Sequence, residues 1–82
     1  MDDALIARYV AEDPERPGPL HARLKESGEK VWLLIAYLHG AAGGDSALTA
    51  ADYELPEEAV RAADAYYRHH KAPIDARIAA NV

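Results

Sequence analysis

Four histidines, His21, His39, His69 and His70, are the side chains of this sequence best suited to hold a metal ion or move a proton near neutral pH. A metal bound to one helix takes ligands from one face, as at i and i+4, and no two of these histidines have that spacing; the adjacent His69 and His70 point about 100° apart on a helix. The chain has no cysteine, which removes thiolate ligands and disulfides together. No metal and no cofactor is therefore expected. Hydroxyl nucleophiles are limited to Ser27, Ser46 and Thr49, each at a turn or helix start, with no legible serine, histidine and acid triad. Most carboxylates fall in the N-terminal region or at helix starts, where capping accounts for them better than acid–base chemistry does. The sequence offers no catalytic residue and reads as a non-enzyme.

Cations are more suggestive. Arg61, Arg68, His69, His70 and Lys71 lie along one stretch and are the candidate contacts for DNA phosphates. The competing description is a solvated helix face. Glu57 and Glu58, at the start of the same stretch, would meet phosphates at a repulsive cost. The formal net charge is −5; residues 1–55 hold 5 basic and 10 acidic side chains, and residues 56–82 hold 4 of each. A nucleic-acid binder usually carries a basic face, so the balance argues against strong DNA affinity in an isolated monomer, although a local patch overrides a global charge. Among the aromatics, Trp32, Tyr37 and Tyr66 are the candidate dimer or partner contacts, because large amphipathic rings favour interfaces. Tyr53 and Tyr67 are assigned to the core.

These residues need elements to position them. Leu5, Ile6, Tyr9 and Val10 have helical spacing over residues 3–11. Residues 12–19 then place three prolines and a glycine in eight positions, which excludes a helix or a ladder and predicts an extended arm. Residues 20–30 favour a small hairpin around Ser27 and Gly28. The clearest signal is Val31, Leu34, Ile35 and Leu38 at i, i+3, i+4 and i+7, a single apolar stripe ended by Gly40 and the Gly43-Gly44 pair. Asp45 or Ser46 caps a second short helix with Ala47, Leu48 and Ala51 inward. Pro56 opens a third, with Glu57 and Glu58 at the positive end of its dipole and Ala59, Val60, Ala63, Tyr66 and Tyr67 inward. Pro73 kinks or restarts that helix before Ile74 and Ile78 resume the stripe.

The expected class is mainly α: a tri-helical helix-turn-helix core of homeodomain type over residues 20–82, preceded by an N-terminal helix and proline-rich arm over residues 1–19, with a small β-hairpin. A chain this short hides only about 60 to 65% of its unfolded surface, so a homodimer is expected to complete a thin core. A start at Met1, Asp2 and Asp3 with only a few apolar residues after it gives neither a signal peptide nor a membrane span, and a cytoplasmic location without membrane association is expected.

The segment Val31-Trp32-Leu33-Leu34-Ile35-Ala36-Tyr37-Leu38, the run from Asp52 through Leu55-Pro56-Glu57-Glu58-Ala59-Val60 to Tyr66-Tyr67, and the tail from His70-Lys71-Ala72-Pro73-Ile74-Asp75 to Asn81 resemble the bacterial domain-of-unknown-function family 433 over about residues 20–81. The resemblance implies a small homeodomain-type helix-turn-helix protein of antitoxin-like character, paired with a nuclease-type toxin and with operator DNA as a further partner. It also implies strands at Ala22-Arg23-Leu24 and Gly28-Glu29-Lys30-Val31. The rival expectation is a plain protein-interaction or assembly module whose acidic surface binds another protein.

Overall fold

The stripe Val31, Leu34, Ile35 and Leu38 is the centre of the molecule, and all four side chains are buried. A computed structural model describes residues 2–81; Met1 and Val82, the outer ends of the two expected segments, lie outside the described residues. Within them the chain forms five α-helices, α1 (Asp2–Tyr9), α2 (Val31–His39), α3 (Ser46–Tyr53), α4 (Glu57–His69) and α5 (Lys71–Ala79), and two short antiparallel strands, β1 (Val10–Ala11) and β2 (Arg23–Leu24). The expected mainly α class is what is found.

α2 carries no aspartate, glutamate, lysine or arginine, and an apolar sequence of this kind must be covered on most sides. It is covered by α4, α3, α5 and a 3-10 turn at Pro19–His21. Gly40 caps it because nothing larger fits there: a Cβ at that position would stand 2.6 Å from the Ala36 carbonyl oxygen. Asp45 caps α3, its carboxylate accepting the Leu48 N–H at 3.0 Å. The expected inward face of α3 is corrected by the structure. Thr49 and Ala50 are buried, whereas Ala47, Leu48 and Ala51 are exposed, Leu48 by 44%. Thr49 tolerates burial because its hydroxyl donates to the Asp45 carbonyl at 2.9 Å.

Glu54 ends α3 in the left-handed region, φ 55 and ψ 49, and the Leu55 N–H reaches back to the Ala50 carbonyl at 2.9 Å. Pro56, expected as the first helical residue, is the N-cap of α4, which starts one residue later at Glu57. The break attributed to Pro73 falls earlier, at His70. Pro73 is the third residue of α5, where its missing N–H lies among the unpaired donors of a first turn, and the clash of its ring with the His69 carbonyl is avoided because α4 has already ended.

The expected hairpin is also redrawn. Arg23 and Lys30 form a single antiparallel bridge, closed by the Leu24 N–H to the Glu29 carbonyl at 2.8 Å, but the fuller partner of β2 is β1, in the register Val10 with Leu24 and Ala11 with Arg23. The N-terminal helix accordingly stops at Tyr9. Val10 belongs to the buried core and Leu5, Ile6 and Tyr9 pack against it, so residues 2–11 share the core of residues 20–81 and the proline-rich segment is a bridge across one folded unit.

Candidate binding face on the fourth helix

α4 is the hub of the structure, packed by α1, α3 and α2 around its circumference and by α5 at its end. Its buried residues are Ala59, Val60, Ala62, Ala63, Ala65 and Tyr66. The four alanines let neighbouring helices approach closely on several sides at once. Along its outer side runs a stripe at i, i+4, i+7 and i+11, Glu57, Arg61, Asp64 and Arg68, with Glu58 and His69 exposed beside it. Its charges alternate and are paired. Arg61 Nη1 lies 3.0 Å from Glu57 Oε2, and Arg68 Nη2 lies 2.6 Å from Asp64 Oδ2. The other Asp64 oxygen meets His39 Nε2 at 2.8 Å, so one carboxylate holds two basic groups from two helices. Asp64 is only 14% exposed in its side chain, against 70% for Arg68, and the aspartate therefore anchors an arginine whose far side is open to solvent.

The five candidate DNA contacts do not converge. Arg61 and Arg68 share the stripe. His69 is exposed at the last residue of α4, about 100° round from Arg68. His70 sits in the break with its ring 4.4 Å from that of Tyr66, and Lys71 opens α5 with its ammonium 5.9 Å from the Tyr67 ring. Sequence reasoning missed Asp64 and His39. The spacing of Asp64 and Arg68 was a readable signal, being a helical salt-bridge pair; nothing local points to His39, which arrives from α2.

Of the three aromatic interface candidates, Trp32 and Tyr66 are buried inside the chain and only Tyr37 is partly exposed. Trp32 is covered by the Arg77 guanidinium, 4.6 Å from its ring centroid. Both tyrosines are expected on the inward face of α4; Tyr66 is 4% exposed, whereas Tyr67, assigned to the core, is partly exposed and packs at its edge. Four tyrosines donate their hydroxyls to carboxylates on other elements: Tyr9 to Glu58 at 2.9 Å, Tyr66 to Glu12 at 2.6 Å, Tyr67 to Asp75 at 2.6 Å, and Tyr37 to Asp52. Each bond favours the protonated phenol. The bond to Asp75, followed by burial, pushes Tyr67 up to about 12, and burial followed by the bond to Glu12 raises Tyr66.

Two of the three hydroxyls singled out as nucleophiles serve the backbone, Thr49 as described and Ser27 by accepting the Glu29 N–H at 3.2 Å. A groove of about 280 Å³ between α1 and the α3 to α4 turn has Tyr9, Leu24, Leu55 and Ala59 among its walls. Among the described residues no group of three or more histidines or carboxylates is placed to hold a metal, and no helix is long and apolar enough to cross a membrane.

The fold and this face define a mainly helical protein with a small antiparallel sheet and a charge-paired central helix. No family model, curated protein or solved structure matches the chain.

Proposed function

We propose that α2, α3 and α4 form a helix-turn-helix domain of homeodomain type that acts by binding, as a homodimer and in the manner of an antitoxin, a protein partner such as a nuclease-type toxin. The observation that carries the reading is the stripe Glu57, Arg61, Asp64 and Arg68. A tight left-handed turn at Glu54 sets α4 against α2 and α3 and leaves this charged row on its outer side. Its two arginines are held in place by carboxylates one turn earlier, so they present ordered donors without net positive charge. Phosphate binding depends on displacing counterions with uncompensated cations, which this row lacks. A protein surface that alternates in sign is its better match, because complementary charges fix register and partner choice.

Operator DNA is a second reading, favoured by the exposure of Arg61, Arg68 and His69 on α4 and of Lys71 just beyond it. The test is co-purification with a small nuclease-like protein encoded beside this chain. Expected are a complex of defined stoichiometry by light scattering and suppression of the nuclease, both weakened by the charge reversals Arg61→Glu and Arg68→Glu. A nuclease that stays active beside an excess of the chain, while duplex DNA binds through both arginines at physiological salt, would replace the protein-partner reading with the DNA one.

A further inference from the structure

We infer that the outer face of α2 and α3, centred on Tyr37 and Asp52 and bordered by Leu33 and Leu48, docks a basic amphipathic helix of a partner protein. This face uses none of the residues of the α4 row, so the inference goes beyond the binding mode proposed above and does not depend on it.

Three observations meet there. Among the described residues Leu33 and Leu48 are the large hydrophobic side chains left open, 41% and 44% exposed. Single exposed leucines are ordinary on a protein surface, but these two border one contact. Leu33 stands one turn before Tyr37 on α2, and Leu48 stands one turn before Asp52 on α3. The Tyr37 hydroxyl donates to the Asp52 carboxylate, and its ring lies edge to face with Tyr53 at 5.2 Å. Each leucine is therefore only about 6 Å along its own helix from that bridge. Together with the bridging ring they make one apolar strip across the two helices.

Second, the charge around the strip has one sign. Residues 31–60 hold five carboxylates and no lysine or arginine. Glu29, from the turn before α2, joins Asp52 beside Tyr53, whose hydroxyl is raised above its ordinary range first by burial and then by these two carboxylates. Among the described residues neither Glu29 nor Asp52 has a basic side chain within ion-pair distance, in contrast to the neutralised row on α4. Third, this combination selects its occupant. Phosphates and anionic lipid headgroups are repelled by it. A second copy docked about a two-fold axis would set the same carboxylates against one another with no cation between them. A helix with apolar side chains at i, i+3 or i+4 and i+7, flanked by lysine or arginine, meets both features: the apolar row covers Leu33 and Leu48, and the cations reach Glu29 and Asp52.

The probe is a synthetic peptide of about 18 residues with leucines in a single helical stripe and lysines elsewhere, beside a scrambled peptide of the same composition. Each is titrated by calorimetry into the unmodified chain and into Leu33→Ser, Leu48→Ser, Glu29→Gln and Asp52→Asn at physiological salt. Expected is saturable binding of the patterned peptide, weakened about tenfold by either serine, with the two carboxylate changes lowering affinity and flattening its salt dependence. Equal binding of the scrambled peptide, or binding that ignores both leucines, overturns the docking face and leaves the α4 row as proposed. No binding up to millimolar peptide overturns it as well. A dimer that Leu33→Ser or Leu48→Ser turns into a monomer by light scattering would give the face to a second copy and overturn the inference. Should a serine variant fail to fold, the unmodified chain decides by amide shift mapping: changes on adding the patterned peptide are expected around Leu33, Tyr37, Leu48 and Asp52, and changes confined to α4 refute the inference. A nuclease left active in the test of the α4 row would leave this result untouched.

Discussion

Tyr66 and Tyr67 are neighbours on α4, and exchanging their roles turns the helix by about 100°, so their variants test the packing of the hub directly. Tyr66 is 4% exposed, its ring lies against His70, and its hydroxyl donates to Glu12 at 2.6 Å from the far side of the proline-rich segment. Truncating a large buried aromatic costs about 3 to 5 kcal/mol. Removing only the hydroxyl leaves the ring and deletes a hydrogen bond to a carboxylate, worth about 1.5 to 3 kcal/mol when shielded and nearer 1 here, because Glu12 itself is exposed. Against a total of about 4 to 12 kcal/mol for a chain of this length, Tyr66→Ala should leave little folded protein and Tyr66→Phe should be clearly measurable. At roughly 4 to 8 °C per kcal/mol, Tyr66→Phe lowers Tm by several degrees. Tyr67→Phe breaks only the exposed bond to Asp75 and should fall below it.

The assay is a double-mutant cycle in urea with Tyr66→Phe, Glu12→Gln and both together, followed by circular dichroism at the helical band. The two single changes should each destabilise, and the pair should cost less than their sum, because both remove one and the same contact. Strict additivity would mean that the hydroxyl and the carboxylate do not meet. Tyr67→Ala proving more damaging than Tyr66→Ala would mean that α4 presents a different face to the core.

Glu54→Gly should stabilise the fold by about 0.5 to 1 kcal/mol in the same urea titration, since Glu54 occupies a left-handed conformation that glycine adopts freely; a loss of stability would show that the turn needs the glutamate side chain. Arg61→Ala and Arg68→Ala should change stability by no more than about 0.5 kcal/mol, both being exposed helical ion pairs, and thermal melts check this. Alkaline titration followed by tyrosinate absorbance should show incomplete ionisation of the five tyrosines while the protein stays folded. Tyr67 is raised from about 10 to about 12 on folding, so its contribution is whole below pH 10 and is lost as pH climbs towards 12; five phenols titrating together at pH 10 with the fold intact would contradict the tyrosine to carboxylate bonds.

The helices were legible where periodicity and punctuation agreed. Val31, Leu34, Ile35 and Leu38 announce α2, Asp45 and Pro56 mark the starts of α3 and α4, and all lie where local chemistry places them. What failed was everything decided by a distant partner. Val10 and Ala11 follow a helical pattern and become a strand because β2 is there to pair with. Leu48 looks more buriable than Thr49, yet α3 turns Thr49 inward, where the Asp45 carbonyl satisfies its hydroxyl. Tyr66 and Tyr67 are equivalent in type, and the choice between them follows from the path of residues 10–12 past α4, which no window of α4 contains.

The candidate face shows the same division and gives it a functional sense. Arg61 and Arg68 were found as cations, but the sequence weighed them by sign and not by what neutralises them. Their partners were within reach of reasoning, since Glu57 and Asp64 stand four residues earlier on the same helix. With the carboxylates included, the row changes from a phosphate-seeking surface to an alternating one, and Asp64 becomes the residue on which it turns. It alone is largely sheltered and joined to a second helix through His39. Removing it by Asp64→Ala frees Arg68 and His39 at once and converts the neutral row into a positive one. Such a variant should gain DNA affinity with a steep salt dependence while losing affinity for a protein partner, two opposite changes from one substitution. If instead it loses neither and gains nothing, the row is a solvated face and binding lies elsewhere on the molecule.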